Sequence, residues 1–164
     1  MTANESRVQP TVLIAGEDTN AATATETLRR TRGLSVRMAR DGIEAREIAG
    51  RERLAAVVLD LDLPAMNGLD LIRHLSGRFE GIARHPSLHI IVFTSMRKPE
   101  LGRFAVRLGA SAILRKPVSP ARLIHTIQQC TRAPGASDER TRCGVSVEDQ
   151  PAPELDGDAR GGRQ

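Results

Sequence analysis

The chain has 164 residues, 40% of them hydrophobic, which is enough for one domain with its own core. It has no apolar run long enough to cross a bilayer and no secretion signal near its start, so we expect a cytoplasmic protein with no membrane partner. Although 24 basic residues exceed 20 acidic ones, there is no Trp or Tyr to stack on bases, which argues against direct binding of nucleic acid.

The composition changes near residue 133. Residues 11–133 alternate between apolar and polar segments, whereas residues 134–164 are rich in Gly and Pro, have more acidic than basic residues and show no hydrophobic period. Such a segment buries too little apolar surface to offset its chain entropy. We therefore expect a flexible N-terminus at 1–10, one domain at 11–133 and a disordered tail at 134–164. The alternative for the tail is an acidic strap that docks on the basic domain.

The domain alternates between strand and helix patterns along the chain. In the first half, apolar runs and helix-start residues predict β1 at 12–15, α1 at 21–32, β2 at 34–39 and a short α2 after Asp41-Gly42. In the second half they predict β3 at 55–60, α3 from Leu69, β4 at 88–94, α4 at 101–108, β5 at 110–114 and α5 around 123–130. Strands that are apolar on both faces and alternate with helices indicate an α/β fold, a flavodoxin-like doubly wound sheet of five parallel strands in the order 2-1-3-4-5 with five helices.

Acidic residues follow two strands that are neighbours in this strand order. Glu17 and Asp18 follow β1, and Asp60 ends β3, so their side chains should meet at the carboxyl edge of the sheet. Because unpaired acids repel one another there, the cluster indicates a hard cation such as Mg²⁺. Thr94 at the end of β4 and Lys116, one of two lysines, at the end of β5 add a hydroxyl and a compact positive charge. Together these residues predict a site that handles phosphate.

In this order the residues resemble the response-regulator receiver domains of two-component signalling, over residues 11–131. The resemblance depends on acids after β1, Asp60 followed by Pro64 and Gly68, Thr94-Ser95 after β4 and Lys116-Pro117 after β5. Each motif alone is weak, but all of them in order are specific. The resemblance implies that Asp60 accepts a phosphoryl group from a histidine kinase or a phosphotransfer protein.

The resemblance also implies roles for the residues around Asp60. Thr94 and Lys116 would contact the phosphoryl oxygens, and Mg²⁺ would be held by Glu17, Asp60 and the main-chain carbonyl of Asp62. Asp18 is a further candidate ligand for the metal. The Lys116-Pro117 bond is expected to be cis. The chain would assist its own phosphorylation and dephosphorylation without being an enzyme in the ordinary sense.

Two positions depart from the family pattern. Gly16 stands where the first acid of the usual pair is expected, so we expect weaker binding of Mg²⁺. Ile113 stands three residues before Lys116, where many receivers have an aromatic residue that changes rotamer on activation. Coupling through this position is then weaker or takes another route, unless β5 simply packs an aliphatic residue here.

The sequence predicts a single-domain response regulator that acts by binding a protein partner, because no helix-turn-helix pattern follows α5. By the same resemblance, the contact surface would be the α4–β5–α5 face, which would also be the place of a homodimer contact. Its candidate switch and interface residues are Ser95, Arg103, Phe104, Arg107 and Ile113. The alternative is a pseudo-receiver, a protein-interaction module that works without phosphorylation.

Overall fold

The computed structural model of the chain describes residues 9–77, 88–95 and 99–132. Within these ranges the strands are β1 (Thr11–Ala15), β2 (Ser35–Ala39), β3 (Ala56–Leu59), β4 (His89–Thr94) and β5 (Ala112–Arg115). The helices are α1 (Thr19–Arg29), α2 (Gly42–Arg51), α3 (Gly68–Leu75), α4 (Pro99–Leu108) and α5 (Pro120–Arg132). The tail predicted at 134–164 and most of the N-terminal segment predicted at 1–10 lie outside the described residues.

The five strands form one parallel sheet in the order β2-β1-β3-β4-β5, as the sequence predicts. The last residues of β1 and β3 lie side by side, since Ala15 pairs with Leu59. On the other side of β3, the last residue of β4, Thr94, pairs with the last residue of β5, Arg115. The residues that follow these strands are therefore brought to one edge. No helix in the described part of the chain has the length and apolar character of a membrane span.

Two hydrophobic layers cover the faces of the sheet. One layer packs α1 and α5 on the sheet through residues such as Leu28 and Ile127. The other packs α2, α3 and α4 through residues such as Ala45, Leu71 and Ala105. A central strand that is covered on both faces has a continuous apolar sequence. β3 is such a strand, since all four of its residues are buried.

Some element boundaries and faces differ from the expectation. β2 is an edge strand, and of its five residues only Ala39 is buried, so the expectation that every strand is apolar on both faces is wrong there. α1 begins at Thr19, two residues earlier than predicted, because Asp18 caps it. It ends at Arg29, before the predicted end at residue 32.

Candidate functional site

Asp60 immediately follows β3 and lies at the carboxyl edge of the sheet. Its backbone N–H donates to the carbonyl of Ala15 at 3.2 Å, which continues the pairing between β3 and β1 by one residue. Its side chain is 14% exposed, and its Oδ1 accepts a hydrogen bond from the N–H of Asp62 at 3.1 Å. The carboxylate is thus oriented by the backbone yet open to a small reactant.

Gly68 explains the spacing between Asp60 and the start of α3. Its N–H donates to the carbonyl of Leu61 at 3.1 Å, which closes the loop after β3. A Cβ at this position would lie 2.6 Å from the Cα of Leu61 and would also collide with the carbonyl oxygen of Asp60. Only glycine permits this approach, and the approach fixes the backbone that carries Asp60.

Lys116 lies between two carboxylates. Its side chain is 6% exposed, and its Nζ lies 2.5 Å from Oδ2 of Asp60 and 2.5 Å from Oδ2 of Asp18. The ammonium is also 4.9 Å from the ring centre of Phe93, a distance typical of a cation–π contact. Burial alone would lower the pKa of Lys116, but the hydrogen bonds to Asp18 and Asp60 outweigh it and raise that pKa.

The backbone around Lys116 ties it to β4. Its N–H donates to the carbonyl of Thr94 at 3.0 Å, and the predicted cis bond between Lys116 and Pro117 is present. Thr94 is 4% exposed and ends β4, so its hydroxyl lies at the same edge as Asp60. Ser95, the next residue, is exposed.

Asp18 combines a contact to Lys116 with a local role. Its Oδ1 accepts from the N–H of Ala21 at 2.8 Å, which makes it the N-cap of α1, and its Oδ2 accepts from the side chain of Asn20 at 3.0 Å. Partial burial would raise the pKa of Asp18, but the hydrogen bonds from Lys116, Asn20 and Ala21 outweigh burial and lower the pKa to about 2.

An open cleft of about 480 Å³ lies in front of Asp60. Its lining residues are Gly16, Glu17, Asp18, Asp60, Asp62, Leu63 and Pro64. The side chains of Glu17 and Asp62 are exposed in this cleft. Asp18 and Asp60 both contact Lys116, whereas Glu17 lines the same cleft without contacting Lys116.

The oxygen chemistry of this cleft fits Mg²⁺, which binds through one or two carboxylates and keeps several waters. Glu17, Asp60 and the main-chain carbonyl of Asp62 supply such donors. In the described part of the chain, no group of three or more Asp, Glu, His or Cys side chains is arranged to hold a metal ion. A metal here would therefore depend on few protein ligands.

The predicted switch and interface residues lie around α4 and β5. Arg103 and Arg107 are exposed on α4, and Phe104 is 38% exposed. Ile113 is partly buried, and its Cδ1 would lie 3.1 Å from a Cβ placed on Gly102 of α4. The aliphatic side chain thus packs close to Gly102, where the absence of a Cβ leaves room for it.

The sequence did not predict three side-chain contacts of the candidate residues Lys116, Asp18 and Phe104. Phe93 lies under the ammonium of Lys116, Asn20 holds the carboxylate of Asp18, and the guanidinium of Arg73 lies 5.6 Å from the ring centre of Phe104. Phe93 adjoins the candidate Thr94, but its position in an apolar strand predicts only core packing. All three contacts depend on side-chain directions that periodicity does not encode.

The model of one protein family, described as the response regulator receiver domain, matches residues 12–128. A solved structure similar to this chain is a CheY-like response regulator receiver domain protein from Methanospirillum hungatei. Its TM-score is 0.66 at 24% identity, over 75% of this chain and 94% of that one. At this identity the likeness shows the fold alone.

Curated relatives include the response regulator MprA of Mycobacterium leprae, which is 31% identical over 127 residues, or 76% of this chain. A protein-glutamate methylesterase/protein-glutamine glutaminase of Myxococcus xanthus is 35% identical over 83 residues, or 50% of this chain. The chain spans 53% of the length of the first of these relatives and 22% of the second. The similarity therefore concerns one part of each of them.

Proposed function

The chain belongs to the receiver-domain family of two-component response regulators, and we propose that a histidine kinase or a phosphotransfer protein phosphorylates it on Asp60. The phosphorylated or the unphosphorylated form would then bind a downstream protein partner. Phosphorylation would shift an existing equilibrium between two conformations, so one form binds the partner more tightly. We place this switch in the cytoplasm.

The contact between Lys116 and Asp60 carries this proposal. A lysine that is 6% exposed loses much of its hydration, and two carboxylates offset that loss. One of those carboxylates, Asp60, faces an open cleft where a phosphodonor can approach. A buried cation beside an accessible carboxylate favours phosphoryl transfer to that carboxylate, because the cation offsets negative charge on the transferred oxygens.

In the proposed transfer, a carboxylate oxygen of Asp60 forms a bond to phosphorus while the bond from phosphorus to the donor's imidazole nitrogen breaks. The imidazole leaves with the electron pair of that bond. Lys116 offsets charge on the phosphoryl oxygens, and the hydroxyl of Thr94 donates a hydrogen bond to one of them. Mg²⁺ held by Glu17, Asp60 and the carbonyl of Asp62 would supply further positive charge when bound.

The proposed partner surface is the α4–β5–α5 face, which also suits a homodimer. Its support on α4 is the pair of exposed arginines Arg103 and Arg107. Phe104 is 38% exposed, but its ring lies near the guanidinium of Arg73 of α3 and so borders this face on the α3 side. Aromatic and arginine side chains are enriched in protein interfaces. Ile113 of β5 packs against this helix at Gly102, where a change in the position of Thr94 could be transmitted to the surface.

Incubation with Mg²⁺ and acetyl phosphate, followed by intact mass measurement, tests the proposal. Wild type and the neighbouring variant Asp62→Asn should each gain one phosphoryl group, and Asp60→Asn should gain none. If wild type gains no mass at high Mg²⁺, while a receiver known to react does, the pseudo-receiver alternative is supported. The observation that favours this alternative is Gly16, which supplies no acid to the cleft.

A further inference from the structure

Lys116 has two carboxylate partners, and only one of them is the proposed phosphoacceptor. When a phosphoryl group is attached to Asp60, one carboxylate oxygen becomes part of an acyl phosphate and the negative charge moves to the phosphoryl oxygens. Asp18 stays a carboxylate before and after this step. At 2.5 Å from the ammonium, it is the partner that can keep Lys116 in one place throughout.

The carboxylate of Asp18 is itself held by the start of α1. Oδ1 accepts from the N–H of Ala21 at 2.8 Å, and Oδ2 accepts from Asn20 at 3.0 Å while also facing Lys116. A side chain with both oxygens engaged in this way has little rotamer freedom to lose when it binds the ammonium. The capping contact therefore orients the carboxylate of Asp18 toward Lys116.

Gly16 allows the start of α1 to come close to the end of β1. The residue is buried, and a Cβ at this position would lie 3.0 Å from the Cβ of Ala21 in the first turn of α1. Ala21 thus connects the two features, because it packs against Gly16 and its N–H is the group that Asp18 caps. Glu17 lies between them in sequence, but it is exposed and forms no hydrogen bond or ion pair with the described residues.

We propose that Asp18 is a positioning residue for phosphoryl transfer: it holds the ammonium of Lys116 beside Asp60, a role separate from the metal binding for which Gly16 supplies no acid. The inference rests on the proposed phosphorylation of Asp60. Asp18 would act through Lys116, without touching the transferred group. The two adjacent acids would then have different roles, because Glu17 would bind the metal and Asp18 would hold Lys116.

The test uses Asp18→Asn, because Asn caps helices as well as Asp does but carries no charge. Its matched control is Asp41→Asn, which makes the same change at the N-cap of α2. With acetyl phosphate and saturating Mg²⁺, the initial rate of phosphorylation should fall about tenfold in Asp18→Asn and stay unchanged in Asp41→Asn. Glu17→Gln should instead raise the Mg²⁺ concentration needed for the half-maximal rate.

A second measurement follows the motion of the Lys116 side chain in the unphosphorylated protein. The chain contains two lysines, Lys98 and Lys116, so protein labelled with ¹³C-lysine gives two Cε signals, which Lys116→Arg assigns. Relaxation of the Lys116 signal should show faster motion of its side chain in Asp18→Asn than in wild type or Asp41→Asn. A purely capping role for Asp18 predicts no such difference.

The proposal requires both changes. Unchanged Lys116 motion in Asp18→Asn would overturn it whatever happens to the rate, and so would an unchanged rate. A slower rate that excess Mg²⁺ restores completely would overturn it as well, because Asp18 would then be a metal ligand. If wild type is not phosphorylated at all, the proposed function fails separately, and Lys116 motion alone decides whether Asp18 holds the lysine.

Discussion

The starts of α1 and α2 use the same residue type in the same local contact but differ in what surrounds it. Asp18 caps α1 through the N–H of Ala21, and Asp41 caps α2 through the N–H groups of Ile43 and Glu44. The carboxylate of Asp18 also reaches Lys116, which is 98 residues away in sequence. The cap of α1 therefore belongs to the candidate site because the fold brings Lys116 to Asp18, whereas among the described residues the cap of α2 has only its local role.

The largest expected effect comes from removing that charge. Lys116→Met keeps much of the side-chain volume but leaves Asp18 and Asp60 without the cation between them. Removing one group that stabilises transition-state charge costs about 10²–10³ in rate, so phosphorylation by acetyl phosphate should slow by at least about 100-fold. Time-resolved intact mass measurement gives the rate. A rate close to that of wild type would show that Lys116 takes no part in the transfer.

The next comparison concerns the glycine near each helix start. A Cβ on Gly42 would lie 2.7 Å from both the Cβ and the carbonyl oxygen of Met66, whereas a Cβ on Gly16 would lie 3.0 Å from the Cβ of Ala21. Overpacking a buried position costs about 1–3 kcal/mol. In urea unfolding, Gly42→Ala should lower the free energy of unfolding by this amount and Gly16→Ala by less. The reverse order would contradict the packing described at the two helix starts.

Truncating the caps themselves should give smaller losses of stability. Asp41→Ala removes a cap alone, which costs about 1 kcal/mol of unfolding free energy. Asp18→Ala removes a cap and one partner of Lys116, and because Asp18 is 43% exposed the additional loss should be at most about 1 kcal/mol. Urea unfolding of both variants at neutral pH measures the difference. Equal losses would mean that the ion pair between Asp18 and Lys116 adds no stability.

The smallest effect is a pH dependence at the start of α1. Because the pKa of Asp18 is lowered from its usual 3.8 to about 2, its contribution to stability is present above about pH 3.8 and is lost as the pH falls through about 2. The difference in unfolding free energy between wild type and Asp18→Asn should therefore shrink from about pH 5 towards pH 2. A constant difference over this range would contradict the lowered pKa.

The strand order and the meeting of Asp60, Thr94 and Lys116 follow from the sequence. Each of these residues stands at the carboxyl end of an apolar run, and parallel strands linked by helices bring such ends to one edge of a sheet. The edge position of β2 also follows from that order. Its exposure was nonetheless missed, since a short run such as Ser35–Ala39 does not reveal which of its faces a helix covers.

The contact between Asp18 and Lys116 could not be predicted in the same way. Glu17 and Asp18 are adjacent, and which of them points at Lys116 depends on where α1 begins. The sequence pattern predicts a start at residue 21, whereas the helix begins at Thr19 because the side chain of Asp18 caps it. A start at Thr19 makes Asp18 the N-cap, and the capping contact to Ala21 holds the carboxylate that also contacts Lys116.

The most direct test of phosphorylation at Asp60 locates the modified residue. Reduction of the phosphorylated protein with borohydride converts an acyl phosphate of aspartate to homoserine, and peptide mass spectrometry then gives its position. We expect homoserine at position 60, in proportion to the mass gained by the intact protein. Homoserine at position 18 or 62 with none at 60, or a mass gain that yields no homoserine, would contradict the assignment of Asp60 as the phosphoacceptor.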